Sequence, residues 1–164
     1  ILFHRVINRF MVQAGDPNSK PSGSGKNLGG GGPGYTVPAE IRASMFHKKG
    51  VLAAARTPDN INPLKASSGS QFYLVQGKVF TDAGLDSVET MRLNGRKLPA
   101  AHREVYKTLG GTPHLDLNYT IFGEVVRGMN VIDSIAVTPT ATAQGSDRPI
   151  TDVKIIRARL VKRN

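Results

Sequence analysis

The chain has no cysteine among its 164 residues. That excludes a disulfide framework, a thiolate nucleophile and a Cys-ligated zinc site, and leaves the compartment open. No apolar run reaches the ~18 residues that a membrane-spanning helix needs. Acidic residues are scarce, 12 against 22 Lys and Arg, for a formal charge of +10. Such a balance attracts anionic surfaces weakly and in a salt-sensitive way. Apart from Arg148, Lys154, Arg157, Arg159, Lys162 and Arg163 the basic residues are scattered, with no basic helix or zinc-finger spacing. Specific nucleic-acid recognition needs base-reading groups as well as charge, and is not expected.

What is present suits a folded domain: 39% hydrophobic and 21% charged residues, in a length that matches one domain with its own core. The chain begins at Ile1, not Met, and runs directly into an apolar β-rich stretch without a signal-peptide pattern. We read it as a fragment or a processed product.

Residues 2–14 read as two short strands, or as one strand with a bend at Asn8-Arg9. Residues 15–34 are a Gly- and Pro-rich surface loop, of the length that is usually functional or disordered. A short extended piece and a helical turn are expected within 35–48, a small strand at 50–55, a polar loop at 57–69 and a strong strand at 70–75. Helices are expected over 82–93, capped by Thr81, over 99–109, opened by Pro99, and over 128–136. Strands follow at 119–126, with a bulge at Gly123, and at 153–161, where Ile156, Ala158 and Leu160 alternate with Arg157 and Arg159. Short strands, Gly-rich turns and few helices predict a mainly β barrel or sandwich.

Several apparent motifs fail. Gly29-x-Gly31-x-x-Gly34 spells a dinucleotide fingerprint only because four glycines are consecutive, and Pro33 and Pro38 oppose the helix it would need. The phosphate-loop spelling fails too, with Lys at position 20 and Asn at 27. His4, His47, His102 and His114 show no metal-ligand spacing, and no G-x-S-x-G elbow occurs.

Three segments carry an unusual mixture of apolar, amide and guanidinium groups. They are F-H-R-V-I-x-x-F-M-x-Q-x-G-D from Phe3 to Asp16, G-S-Q-F-Y from Gly69 to Tyr73, and L-D-x-x-Y-T-x-F-G from Leu115 to Gly123. Their order and spacing, with Gly50 to Arg56 between them, resemble the cyclophilins, the cyclosporin-binding family of peptidyl-prolyl cis-trans isomerases. The resemblance runs from Phe3 to the C-terminal strand. It implies an antiparallel β-barrel with a few helices, no cofactor and no metal.

Proline isomerisation needs no nucleophile. Rotation about a peptide bond meets a barrier of ~18–20 kcal/mol because the C–N bond is partly double. In the twisted state the prolyl nitrogen regains a lone pair, and a fixed cationic donor aimed at it stabilises that state over the planar one. The resemblance assigns this role to Arg5. It places Phe10, Met11, Tyr73 and Leu115 on the floor that grips the proline ring. It gives Gln13 and Gln71 to the substrate backbone and makes Ala55 and Arg56 the neighbouring wall. His4, His114 and Tyr119 are placed in the same groove. Arg56 stands where many members have asparagine, Tyr73 where phenylalanine is usual, and Tyr119 where histidine is common. His114 replaces the tryptophan that contacts cyclosporin in the best-known members, so weak cyclosporin binding is implied.

The expected partners are proline-containing peptides and unfolded proteins. A non-catalytic proline-peptide-binding or chaperone-like module using the same groove is the alternative. Residues 81–113 read as a helical insertion, and this segment and the 17–34 loop resemble bacterial secreted or envelope-type members. Family members normally have two strands and a helix before the F-H-R-V segment. Their absence from residues 1–164, read as a single N-terminally incomplete domain, predicts that the eight-stranded barrel does not close from this chain alone.

Overall fold

The computed structural model describes residues 1–20 and 27–162. The Gly-rich loop expected at 17–34 falls partly on 21–26, outside the described residues.

Five strands form one antiparallel sheet: β1 (Phe3–Ile7), β2 (Met11–Ala14), β4 (Val51–Ala54), β6 (Phe72–Val75) and β7 (Ile121–Glu124). Their order is β1-β2-β6-β4-β7. A two-stranded ribbon of β3 (Thr36–Val37) and β5 (Ser67–Ser68) forms a second sheet, tied to the first where the Ser68 N–H donates to the Ala55 carbonyl at 2.8 Å. The ribbon is a correction to the polar loop expected at 57–69. The helical turn expected around Pro38 to Phe46 is reduced to one hydrogen-bonded turn, in which the Met45 N–H donates to the Arg42 carbonyl at 3.1 Å.

A tight turn, Asn8-Arg9-Phe10, joins β1 to β2, with Arg9 left-handed at φ 61°. The carbonyl of Phe10 accepts from the N–H groups of Gln76 and Gly77, which pins the turn to the end of β6. The register of β1 slips by one residue between Phe3 and Arg5. This bulge at His4 turns the strand over: Phe3 and Val6 share one face, and Arg5 lies opposite Gln13 on the other. Gln13 in turn lies opposite Tyr73, and Tyr73 opposite Ala53. One row across four strands therefore reads Arg5, Gln13, Tyr73, Ala53, with neighbouring Cβ atoms ~4.5–5.5 Å apart.

The two faces of the sheet bury different clusters, as a period of two requires. Met11, Val51, Ala53, Tyr73, Val75 and Ile121 pack on the face that carries the row, together with Phe10, Leu115 and Tyr119. Phe3, Val6, Val12 and Ala14 pack on the other, under α3 (Met129–Ala136). In β7, Phe122 is the extra residue of a bulge between Gly123 and Ile121.

Helices α1 (Asp82–Met91) and α2 (Ala100–Thr108) occupy the segment 81–113. Thr81 caps α1 by accepting from the Gly84 N–H at 3.1 Å, and Pro99 stands at the N-terminus of α2. Leu85, Leu93, Leu98 and Tyr106 form their own core. Glu89 ties the pair together. It accepts from Lys97, the Leu98 N–H and Arg103 at 2.8–3.1 Å. The Lys97 bond above all holds its carboxyl down to about 2. The segment returns to the sheet where Gly77 meets Gly111. A Cβ on Gly77 would lie 2.4 Å from the Gly111 Cα, so only glycine permits this approach.

The strand expected at 153–161 is overturned. Only Lys154 bridges to Leu2, flanked by bonds from the Phe3 N–H to the Val153 carbonyl and from the Ile155 N–H to that of Ile1. Beyond it, Ile156 is 94% exposed and Leu160 fully so. Their alternation has no sheet face to cover among the described residues.

Candidate active site

Beside the row lies a small cavity of about 100 Å³. Met11 and Tyr73 line it from the sheet, Phe10 from the β1–β2 turn, and Leu115 and Tyr119 from the segment before β7. Arg5 and Gln13 line one side, and Ala55 and Arg56 another. The ring of Tyr119 stands perpendicular to that of Tyr73, centroids 5.6 Å apart.

The Tyr73 hydroxyl points away from the cavity. It lies 2.9 Å from Nε2 of His47, whose Nδ1 lies 3.1 Å from Oδ1 of Asp116. His47 thus bridges the Asp116 carboxylate and the Tyr73 hydroxyl through its two ring nitrogens. Tyr106, from α2, donates to both oxygens of Asp116 at 2.9 and 2.8 Å. Burial above all pushes the Tyr73 hydroxyl well above its ordinary range, so it stays protonated and presents only an apolar ring face to the cavity.

Arg5 is the exposed member of the set, its side chain 44% accessible. Its Nε donates to Oδ2 of Asp147 at 3.2 Å. Asp147 is itself held to β1 through its carbonyl, which accepts from the Val6 N–H at 2.8 Å. The bond of Arg5 to Asp147 uses Nε, and Arg5 lines one side of the cavity. Arg56, in contrast, is committed. Its Nε donates to the Asn118 carbonyl at 2.8 Å and its Nη1 to that of Thr57 at 3.0 Å, and it pairs with Asp59. It also stacks over Tyr119, 4.7 Å from the ring centroid, and makes a fixed wall.

A wider hollow of about 550 Å³ adjoins the first and shares Gln13, Ala55 and Arg56 with it. Its far side is the glycine segment 29–34 with Tyr35 and Thr36. Gln13 donates to Oε1 of Gln71 at 3.0 Å, and Gln71 donates to the carbonyls of Gly29 and Gly31 at 2.9 and 2.7 Å. Buried Asp16 holds the same segment by accepting from the N–H groups of Gly29 and Gly31, and also from that of Asn18. Burial opposes its charge, but these donors outweigh it and keep its carboxyl below the ordinary range.

The structure thus brings Arg5, Phe10, Met11, Gln13, Ala55, Arg56, Tyr73, Leu115 and Tyr119 around one cavity. Gln71 lines the adjoining hollow and anchors its rim. His4 lines neither. It is buried beneath Gly29, and burial above all lowers its pKa. His114 stacks on Phe10 at 5.4 Å and opens instead into a third hollow.

Sequence reasoning missed Asp147, Asp16 and the His47–Asp116 pair. Asp16 and Asp116 stand within the quoted segments, and Asp16 left a further local signal, since Asp-Pro-Asn favours the side-chain turn it forms with Asn18. Asp147 acts over a separation of 142 residues, which no local pattern discloses.

The family described as cyclophilin type peptidyl-prolyl cis-trans isomerase/CLD matches residues 1–160. Proteins of Staphylococcus aureus (strain COL) and Staphylococcus haemolyticus (strain JCSC1435) that are named for peptidyl-prolyl cis-trans isomerase are each 34% identical over 155 residues. That stretch is 94% of this chain and 69% of each relative. Among solved structures, a Cryptosporidium parvum cyclophilin type peptidyl-prolyl cis-trans isomerase superposes with a TM-score of 0.56 at 20% identity. The match covers 92% of this chain and 67% of the other. A second structure of that protein, in the presence of the dipeptide Ala-Pro, gives 0.54 at 21% identity over 92% and 68%. With a family match over nearly its whole length, this chain belongs to the cyclophilin-type peptidyl-prolyl cis-trans isomerases.

Proposed function

We propose that the chain accelerates X-Pro rotation in peptides and folding proteins by guanidinium stabilisation of the twisted amide, with Arg5 as the catalytic residue. One observation carries the reading: the β1 bulge sets Arg5 in line with Gln13 and Tyr73 beside an apolar cavity of about 100 Å³. The proline ring sits on Met11, Phe10, Leu115 and the Tyr73 face. Gln13, oriented by the bond its side-chain NH2 donates to Gln71, offers its Oε1 to a backbone N–H of the substrate. Ala55 and the wall made by Arg56 run along the same side. The residue before proline is thereby held towards the glycine segment, and the part after it turns. An Nη donor of Arg5 meets the prolyl nitrogen as its lone pair emerges. Each tenfold acceleration needs about 1.4 kcal/mol of such preference for the twisted state.

Exchange spectroscopy on an Ala-Pro peptide tests this. The protein should raise the cis-trans exchange rate at catalytic concentration. Saturable binding with the exchange rate unchanged would mark the non-catalytic, chaperone-like module instead. His114 supplies less apolar area than an indole, so cyclosporin should bind the natural chain more weakly than a His114→Trp variant, a difference calorimetry resolves.

A further inference from the structure

Past Phe10, on the side away from the glycine segment, the surface opens into a shallow hollow of about 460 Å³. Its lining joins parts distant in sequence: Ile7, Arg9 and Phe10 from the β1–β2 turn, Lys78 after β6, Arg92 at the end of α1, and His114. Arg9, Lys78 and Arg92 are exposed. Among the described residues no carboxylate lies within ion-pair distance of any of the three, although Lys97, Arg103 and Lys107 of the same helical segment are all paired. Lys78 rests its ammonium over the Phe80 ring, 5.0 Å from the centroid. The hollow adjoins the proline cavity, with Phe10 lining both.

We infer that this basic hollow is a specificity subsite for an acidic side chain two or three residues after the substrate proline. The inference rests on the isomerase reading: with the residue before proline held towards the glycine segment, the chain after proline leaves on the other side, past Phe10 and His114. An extended chain advances ~3.3–3.6 Å per residue, so the second and third residues after proline lie ~7–11 Å beyond it. The environment of His114 agrees. Burial, and next to it the Arg92 charge, hold its pKa down to about 4, so the ring is neutral at pH 7 and leaves the charge contrast to Arg9, Lys78 and Arg92. Helix α1 gains a role, since it carries Arg92 to the rim.

Exposed ion pairs are individually weak, and the focused field adds to encounter. The expected gain in kcat/KM is therefore about three- to tenfold. The test compares peptides of the form Ala-Ala-Pro-Phe-X-X, with X as Glu, Gln or Lys, in a protease-free isomerisation assay. Glu should exceed Gln, and Gln should exceed Lys. The spread should collapse near ~1 M salt, where the screening length is about 3 Å. Arg92→Gln with Lys78→Gln should bring the Glu-to-Gln ratio close to one, and Arg92→Glu should shift preference towards Lys. Equal rates for the three peptides at low salt would overturn the inference while leaving isomerisation intact. So would a Glu preference that persists in the double variant. Turnover of none of them would overturn the isomerase reading itself, and the inference with it.

Discussion

Nε of Arg5 and Oδ2 of Asp147 meet at 3.2 Å across a separation of 142 residues. The contact uses Nε, so it orients the guanidinium plane while the bond to Asp147 spends neither terminal nitrogen. Both side chains are more than one-third exposed, and the pair contributes little to stability. Asp147→Ala should therefore lower kcat by about tenfold, with KM and thermal stability little changed. Steady-state kinetics beside a melting curve checks this. An unchanged kcat would show that Arg5 is held by the sheet alone.

The glycine rim depends on Asp16. A Cβ on Gly31 would stand 2.0 Å from Oδ1 of that carboxylate. Gly31→Ala should free the segment, leave Asp16 short of a donor and cost about 1–3 kcal/mol in urea denaturation. The depressed carboxyl pKa fixes the sign with pH. Its contribution is present above the ordinary value of 3.8 and is lost as pH falls through the lower folded value. Amide exchange at Gly29 and Gly31 should accelerate in that acid range before the sheet amides do.

For His114 the folded pKa of about 4 lies below the ordinary 6.5, so the unfolded chain binds the proton more readily between those values. Stability should fall as pH drops from about 6.5 towards 4, and this contribution should vanish in a His114→Gln variant. NMR titration of the ring checks the premise. A midpoint near 6.5 would mean that the ring is solvated and not packed on Phe10.

Much of the architecture was legible in local signals. Thr81 and Pro99 marked the starts of α1 and α2, and β6 stood out as an apolar run. The site was legible through its motif, which named all nine side chains around the small cavity. Strict alternation along Phe3–Ile7, however, would put Phe3 and Arg5 on one face. Only the bulge at His4 separates them, and nothing in the strand's composition announces it. The apolar alternation at Ile156 and Leu160 misled for the opposite reason. A period of two marks a strand only where a sheet face is there to be covered, and beyond Ile155 the described residues offer none.

The central claim is that the Arg5 guanidinium stabilises the twisted amide. Its most direct test is the kcat of Arg5→Ala and Arg5→Lys on a proline peptide, with folding verified by circular dichroism and binding by titration. Both variants should fold and still bind, because the apolar floor and Gln13 are untouched. Both should lose at least about a hundredfold in kcat, since removing a transition-state donor of this kind typically costs ~10²–10³ and an ammonium cannot reproduce the fork. A folded Arg5→Ala protein turning over near the natural rate would contradict the account.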